Sequence, residues 1–564
     1  MTRVPHEIPR EPSPDSWATG LESRRDWVPW IVFLLGLLSL FPSIGSETSV
    51  TGSDEYTLSL RTPMEMQERG DWLTPWVNGE PRLRKPPLLY WLTLVNYQLF
   101  GVHLIAARIW GVIAGAGLAL GACLLSRELH RSTGLLAGLF TLGCLGVAAQ
   151  GRQAMLDLPL ATLVSFALWF LVRWVRTQRL PDALAAAGSL GLSFLMKGPV
   201  GLFFFAAGVV AAAITLPLGP ALRRHPFHWL IAMGVLAGVV VPWPLAMHRI
   251  WGDRFVSILG EELAARGFGS WHGRSPLSAL GGALGLIAPW TPAVIGAVVH
   301  WGRTPADGRR PEDRWLVLAF LLSVVPFFFM RAFERYMLAV VPIQAVMAAG
   351  WLAAGGPWRV AALRLSAGVI AVLTMFVGLG SLWFRLGWVA PAAVLMGSIW
   401  LLLEAFRHAR PVRVALLVVA LLTLCLGALY PRLGLNHLPR DIETTIGGRP
   451  VYAFERNLPA MLSPRLGRSI QRWTPETRPP QTPFLVFVEA DLADGFAGAV
   501  RTTGGAFREV TRFRTLYSRK AWVRFARPGT TAADWIEAFR ARSLDGLRTE
   551  FLVLEVSAPA TPMP

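Results

Sequence analysis

Apolar residues in this chain come in long blocks, not in the short alternations of a soluble fold. Residues 1–26 are polar, carry Pro, Glu and Arg, and read as a cytoplasmic tail. This opening is too long and too acidic for the n-region of a signal peptide. A first apolar run covers about 27–45, and a polar loop over 46–103 follows. Apolar runs then recur near 104–125, 133–149, 156–172, 183–196, 198–217, 228–247, 279–299, 315–330, 336–354, 360–382, 388–404 and 412–430. With the first, these predict about 13 helices of the roughly 20-residue kind that crosses a bilayer, some of them short. Only Lys197-Gly198-Pro199 separates the runs 183–196 and 198–217. Beyond 430 the pattern changes. Short strand-like runs at Pro450–Phe454, Pro483–Glu489, Trp522–Phe525 and Glu550–Val556, with a helical candidate at Ala532–Ala541, predict a small α/β domain over 431–564.

Composition agrees with a polytopic α-helical membrane protein. Of 564 residues, 53% are hydrophobic and 16% charged, where a soluble domain carries roughly 25% charge. Mean hydropathy is +0.44. A formal charge of +18 would suggest nucleic acid in a soluble protein; here no nucleic-acid partner is expected, because the positive residues sit in short loops. With the N-terminus inside, sixteen arginines, from Arg127 and Arg131 to Arg410 and Arg413, occupy short inside loops. The short outside loops hold only Arg152, Lys197, Arg331, Arg335 and Arg385. That is the positive-inside distribution. An odd number of spans then puts the C-terminus outside. Cys123, Cys144 and Cys425 lie in apolar runs and form no disulfide or metal-ligand spacing.

Candidate chemistry gathers on the outer side. The loop 46–103 is too long for a simple connector and contains Asp54 and Glu55 directly after the first span. A carboxylate there can act as a general base, orient an acceptor or bind a divalent metal. Thr57–Gln67 and Leu88–Phe100 predict amphipathic helices, and Trp72, Trp76 and Trp91 suit a membrane interface. Lysine is almost absent, occurring only at 85, 197 and 520. Lys85 precedes Pro86-Pro87 and Lys197 precedes Gly198-Pro199, and a lysine at headgroup depth can bind phosphate as a point charge. Arg152 and Asp157 flank the start of a span; Glu261, Glu262, Arg266, Trp271 and His272 share a later outer loop; Arg331, Glu334, Arg335 and Tyr336 share another. Charges within the spans are few, which argues against an ion-coupled transporter.

Asp54-Glu55, Gly70-Asp71-Trp72, Pro75, Asn78-Gly79 and the segment Lys85-Pro86-Pro87-Leu88-Leu89-Tyr90-Trp91 resemble the first periplasmic loop of the ArnT and protein O-mannosyltransferase superfamily. The likeness continues at Arg152, Asp157 and Phe166, at Phe194 to Pro199, at Pro242-Trp243, at Pro289-Trp290, and at Tyr336 with Pro342. This resemblance implies a GT-C fold with a periplasmic C-terminal α/β domain, in a bacterial inner membrane. It implies an inverting glycosyltransferase that takes a sugar from a polyprenyl-phosphate donor. The acceptor would be lipid A, another envelope glycolipid or a protein. It also implies that Asp54 engages the acceptor hydroxyl, with Glu55 able to exchange roles with it, and that Asp157 is a second essential acid. Lys85 would hold the carrier phosphate, with Arg61, Arg152, Lys197, Arg266 and Tyr336 on the donor side. No cofactor is implied with certainty by the residues. Thr57, Arg84 and Leu263 stand where aminoarabinose enzymes commonly carry Arg, Glu and His, which points to a different sugar or acceptor and removes two ligands of a structural zinc. A lipid or sugar transporter and an inactive scaffold are the readings from other classes.

Overall fold

The computed structural model describes residues 27–557, apart from 131, 266–274, 332, 456–458, 478–482 and 518–525. The tail 1–26, Arg266, Trp271, His272, Lys520 and the run Trp522–Phe525 lie outside these described residues.

Each of the thirteen apolar runs lies on helix, but the helices are not all uniform spans. The early part of the chain comprises α1 (Val28–Leu40), α2 (Arg61–Arg69), α3 (Leu88–Phe100), α4 (Leu104–His130), α5 (Gly134–Leu142), α6 (Leu145–Gln150), α7 (Asp157–Thr177), α8 (Leu180–Lys197) and α9 (Val200–Thr215). It continues with α10 (Leu218–Arg224), α11 (Pro226–Val240), α12 (Pro242–Ala264), α13 (Ser275–Gly285), α14 (Thr291–Arg303), α15 (Pro311–Val324), α16 (Val341–Ala353), α17 (Pro357–Trp383), α18 (Val389–Arg407) and α19 (Pro411–Leu424). Among the described residues, seven continuous helical stretches are long and apolar enough to cross a bilayer. The pair α9 and α10 passes the same test only when taken together, across a bend of 94°. The chain is a multi-pass membrane protein.

Two of the expected spans are broken, and the breaks repair each other. Gly143-Cys144 interrupts the run 133–149, and residues 286–290 interrupt 279–299. The backbone N–H of Leu145 donates to the Ala288 carbonyl at 2.8 Å and that of Gly146 to the Leu286 carbonyl at 2.9 Å. Unwound backbone survives at membrane depth only when it is satisfied in this way.

Glycine sets the helix spacing around α4. A Cβ on Gly111 would fall 2.3 Å from the Gln153 carbonyl, and one on Gly36 2.7 Å from the Ala116 backbone. Small residues let α1, α4 and the turn before α7 approach closely. That turn begins the helix carrying Asp157.

The C-terminal region is a five-stranded sheet of order β4-β3-β5-β7-β6, where β3 is Val451–Phe454, β4 Gln471–Trp473, β5 Phe484–Glu489, β6 Ala506–Thr515 and β7 Thr549–Ser557. β3 pairs in parallel with β4 and β5; β7 is antiparallel to β5 and β6. Three strand expectations and the helix Ala532–Ala541 are found where the patterning puts them. β6 escaped the pattern because its face is mostly exposed and charged (Arg508, Glu509, Arg512, Arg514). The sheet is docked on the long loop. Leu60, Met64 and Tyr97 share one core with Ile442, Met461, Phe487 and Phe551. Glu68 accepts from the Ser469 N–H and hydroxyl at 2.7 and 2.6 Å, and Arg465 pairs with Glu47 at 2.6 Å.

Candidate active site

The loop 46–103 is built, not slack. Asn78 and Gly79, at φ 57° and 77°, make the tight turn of a hairpin between β1 (Trp76–Val77) and β2 (Glu80–Pro81). An Asn-Gly pair adopts these left-handed angles at low cost. Glu65, on α2, accepts the Asn78 and Gly79 N–H groups at 2.8 and 2.9 Å and the Arg61 Nε–H at 2.7 Å. Asp71 accepts the Leu73 and Thr74 N–H groups and the Trp76 indole. Burial alone would raise its pKa, but these hydrogen bonds outweigh that and hold it below the ordinary 3.8. The indoles of Trp91, Trp243 and Trp251 donate to Trp72, Leu73 and Thr74, tying the loop to α3 and α12.

Lys85 leaves this loop just before the Pro86-Pro87 step that starts α3. Prolines restrict the backbone there and fix where the lysine stands. Lys197 is the last residue of α8. Gly198, at φ 79°, turns the chain and Pro199 begins the approach to α9. The two lysines meet across one cavity of about 280 Å³, lined also by Glu262, Tyr336, Arg331, Phe194 and Trp243.

Beside it lies a charged relay. Asp157, the first residue of α7, is buried and pairs with Lys197. A carboxylate in the first turn also gains from the helix dipole. Arg335 lies 3.3 Å from Asp157 through its Nε, without hydrogen-bond alignment, and donates to Asp54 at 2.6 Å. Arg335 therefore bridges the two acids. Lys197 also sits 4.3 Å over the Tyr336 ring, a cation–π contact. Lys85 pairs with Glu262 at 2.5 Å. Asp54, Asp157, Lys85, Lys197 and Tyr336 are thus gathered from segments far apart in sequence. Arg335 and Glu262 complete the group but carry no motif that singles them out; only their outer-loop position hinted at them.

Three expectations need correction. Glu55 does not share the exposed position of Asp54. It is fully buried, and Arg108 clasps it at 2.8 and 3.1 Å. The Thr51 hydroxyl and the Ala154 N–H also donate to it, while Arg108 donates onward to the Ile44 and Ser46 carbonyls. Its lone pairs are taken, so it anchors the loop. Arg61 serves the hairpin through Glu65. Arg152 is buried and donates to the carbonyls of Ala148 and of Ser39, the latter at 2.7 Å, so it fastens α6 to α1 and does not face the cavity.

Among the described residues, no group of three or more His, Cys, Asp or Glu is placed to hold a metal ion. Arg84 instead faces Glu261 at 3.6 Å. A zinc site built on positions 84 and 263 does not fit an arginine and a leucine.

Comparison with known proteins follows the same lines. The family model for dolichyl-phosphate-mannose-protein mannosyltransferase matches residues 84–244, which include Lys85, Asp157 and Lys197. An undecaprenyl phosphate-alpha-4-amino-4-deoxy-L-arabinose arabinosyl transferase of Yersinia enterocolitica is 26% identical over 58% of this chain and 60% of its own length. An uncharacterized Aquifex aeolicus protein is 32% identical over 36% of this chain and 40% of its own. The chain thus spans about half the length of these curated relatives. The crystal structure of ArnT from Cupriavidus metallidurans bound to undecaprenyl phosphate superposes with a TM-score of 0.69 at 17% identity, over 97% of this chain and 100% of that one. The shared fold, the matched segment and the recurring relatives make the chain similar to the ArnT-like GT-C glycosyltransferases.

Proposed function

We propose that this protein transfers a glycosyl group from a polyprenyl-phosphate carrier to an envelope acceptor at the periplasmic face of the inner membrane. The reading rests on one juxtaposition: two lysines and Tyr336 around a mostly apolar cavity, next to Asp54 on its Arg335 tether. The carrier phosphate would bind at Lys85 and Lys197, displacing Glu262 from Lys85. As the glycosidic bond breaks, negative charge grows on that phosphate, and preplaced cations lower the barrier. Asp54, the most exposed acid of the group at 39%, takes the proton of the attacking hydroxyl. Attack opposite the leaving phosphate inverts the anomeric carbon. The N-terminus would lie in the cytoplasm and residues 431–564 in the periplasm. Arg84 and Leu263 support a sugar or acceptor other than that of the aminoarabinose enzymes.

The test is release of polyprenyl phosphate by purified protein in lipid, with a panel of polyprenyl-phosphate sugars and envelope extract. Release by the wild type that disappears in Asp54→Asn is expected, and the labelled product separates lipid from protein acceptors. Release unchanged in Asp54→Asn overturns the site; no release from any donor overturns the reaction.

A further inference from the structure

A second cavity, of about 460 Å³, opens at the other end of the helix bundle. Its lining comes from the C-terminal ends of α4, α14 and α16, from the connection 304–310 and from the starts of α15 and α17. α4 alone is 27 residues long, roughly 40 Å at 1.5 Å per residue. The site around Asp54 uses the opposite ends of the same bundle, so the two cavities face opposite membrane surfaces.

We infer that this cavity binds the phosphate headgroup of an anionic phospholipid from the leaflet opposite the Asp54 site. Three observations converge. First, the charge is one-sided: Arg309, Arg310 and Arg359 line it with His130 and His300, against Asp313 as the carboxylate of the lining. Asp313 is already engaged by His130 at 3.0 Å. Basic pockets between spans on this side recognise lipid phosphates.

Second, the donors are prearranged and partly unspent. Arg309 lies 4.4 Å over Trp301 and is held by the Thr304 and Gly302 carbonyls through Nε and Nη2, and Arg359 lies 5.6 Å over Trp351 and donates Nη1 to the Gly355 carbonyl, so both cations are fixed in place with donors to spare. Among the described residues, His130 Nδ1, Trp301 Nε1 and Arg359 Nε are buried without a hydrogen-bond partner. Buried polar atoms left empty are uncommon and call for a ligand or ordered water. The start of α17, capped by no side chain, adds the positive end of a helix dipole.

Third, the surroundings suit a lipid better than a free anion. The volume is within the roughly 300–1,000 Å³ of small-molecule sites, well above the need of one phosphate ion. α14 and α17, which frame the cavity, carry outward apolar stripes: Ile295 and Val299 on one, Leu365, Val369 and Val372 on the other, each 44–56% exposed. Acyl chains can lie along those faces while the headgroup sits among the arginines. Trp358, 82% exposed at the start of α17, marks interface depth.

The experiment is native mass spectrometry of the full chain in detergent, offered phosphatidylglycerol and phosphatidylcholine with the same acyl chains. The wild type is expected to retain one phosphatidylglycerol in preference. At about 1 kcal/mol per basic residue near a charged surface, each arginine contributes roughly fivefold, so Arg309→Gln with Arg359→Gln weakens retention about 25-fold. Arg385→Gln, at the opposite surface, leaves retention unchanged. Equal retention of both lipids by the wild type, or a preference that survives the double substitution, overturns the inference. So does competition by inorganic phosphate with no lipid retained, which would make this a free-anion site. A photoactivatable phosphatidylglycerol on the unsubstituted protein needs no variant: peptides within 297–313 and 350–372 should be labelled, and labelling confined elsewhere overturns the site. None of these readouts depends on glycosyl transfer.

Discussion

Asp54 and Glu55 are neighbours in the chain and have opposite surroundings. Glu55 is sealed from water; Arg108, Thr51 and Ala154 fill its acceptor positions, and the cluster pins the loop to α4. Asp54 keeps 39% of its side chain exposed and, among the described residues, is tethered by Arg335. A saturated, buried carboxylate has no capacity left for a proton or a substrate hydroxyl. A carboxylate held by a guanidinium on one side and open on the other keeps that capacity and stays aimed. The saturated pair makes the open one possible, because a loop pinned at Glu55 fixes where Asp54 stands.

Substitutions can pull these roles apart. The largest effect is expected from Asp54→Asn: turnover falls by about 10²–10⁴-fold, the range of a positioned acid or base, with no change in melting temperature. A melt displaced as far as that of an Arg108 variant would mean the two acids share a structural role. Arg108→Ala should do the reverse. It strands a buried carboxylate and costs about 3–5 kcal/mol of stability, read by denaturant titration in detergent micelles. Pairing it with Glu55→Leu should recover much of that loss, since no unpaired charge remains.

Arg335→Gln sharpens the comparison by cutting the Asp54 tether, together with the charge beside Asp157. A misplaced reacting group costs on the order of 10²-fold, so kcat should fall by up to that factor while the donor KM holds. A rise in KM with kcat intact would assign Arg335 to phosphate binding. Glu262→Gln frees Lys85 from its 2.5 Å partner, and the donor KM should drop by up to roughly fivefold, the scale of a partly exposed ion pair.

The smallest effect concerns Asp71. Its carboxyl is held below 3.8, so it adds stability above that value and loses it as pH falls through the lowered one. Asp71→Asn should therefore cost under about 1 kcal/mol at neutral pH and nothing in strong acid. Thermal melts at both ends of that range check the sign.

The positions of the helices were legible from apolar blocks, and Asp54, Lys85, Asp157, Lys197 and Tyr336 from short motifs and rare lysines. What escaped depends on contacts between distant segments. Arg335 meets Asp54 across 281 positions, and nothing in a loop rich in arginine sets it apart. Glu55 and Asp54 look alike in a row of letters; only packing buries one of them. A signal for Glu55 did exist. Arg108 stands inside an apolar span, where a charge demands a partner. The broken spans were hidden because the repair at Leu145 and Gly146 is made by backbone carbonyls, which every residue has.

The core shared by the long loop and the C-terminal sheet has a consequence in time. Leu60, Met64 and Tyr97 are finished by Ile442, Phe487 and Phe551. A ribosome working at 5–20 residues per second delivers that sheet on the order of half a minute after the loop. Until then the loop waits with its apolar back uncovered and Glu47 and Glu68 without Arg465 and Ser469. A later part of the chain therefore completes an earlier one, and the nascent protein passes through an interval in which the long loop lacks much of its support.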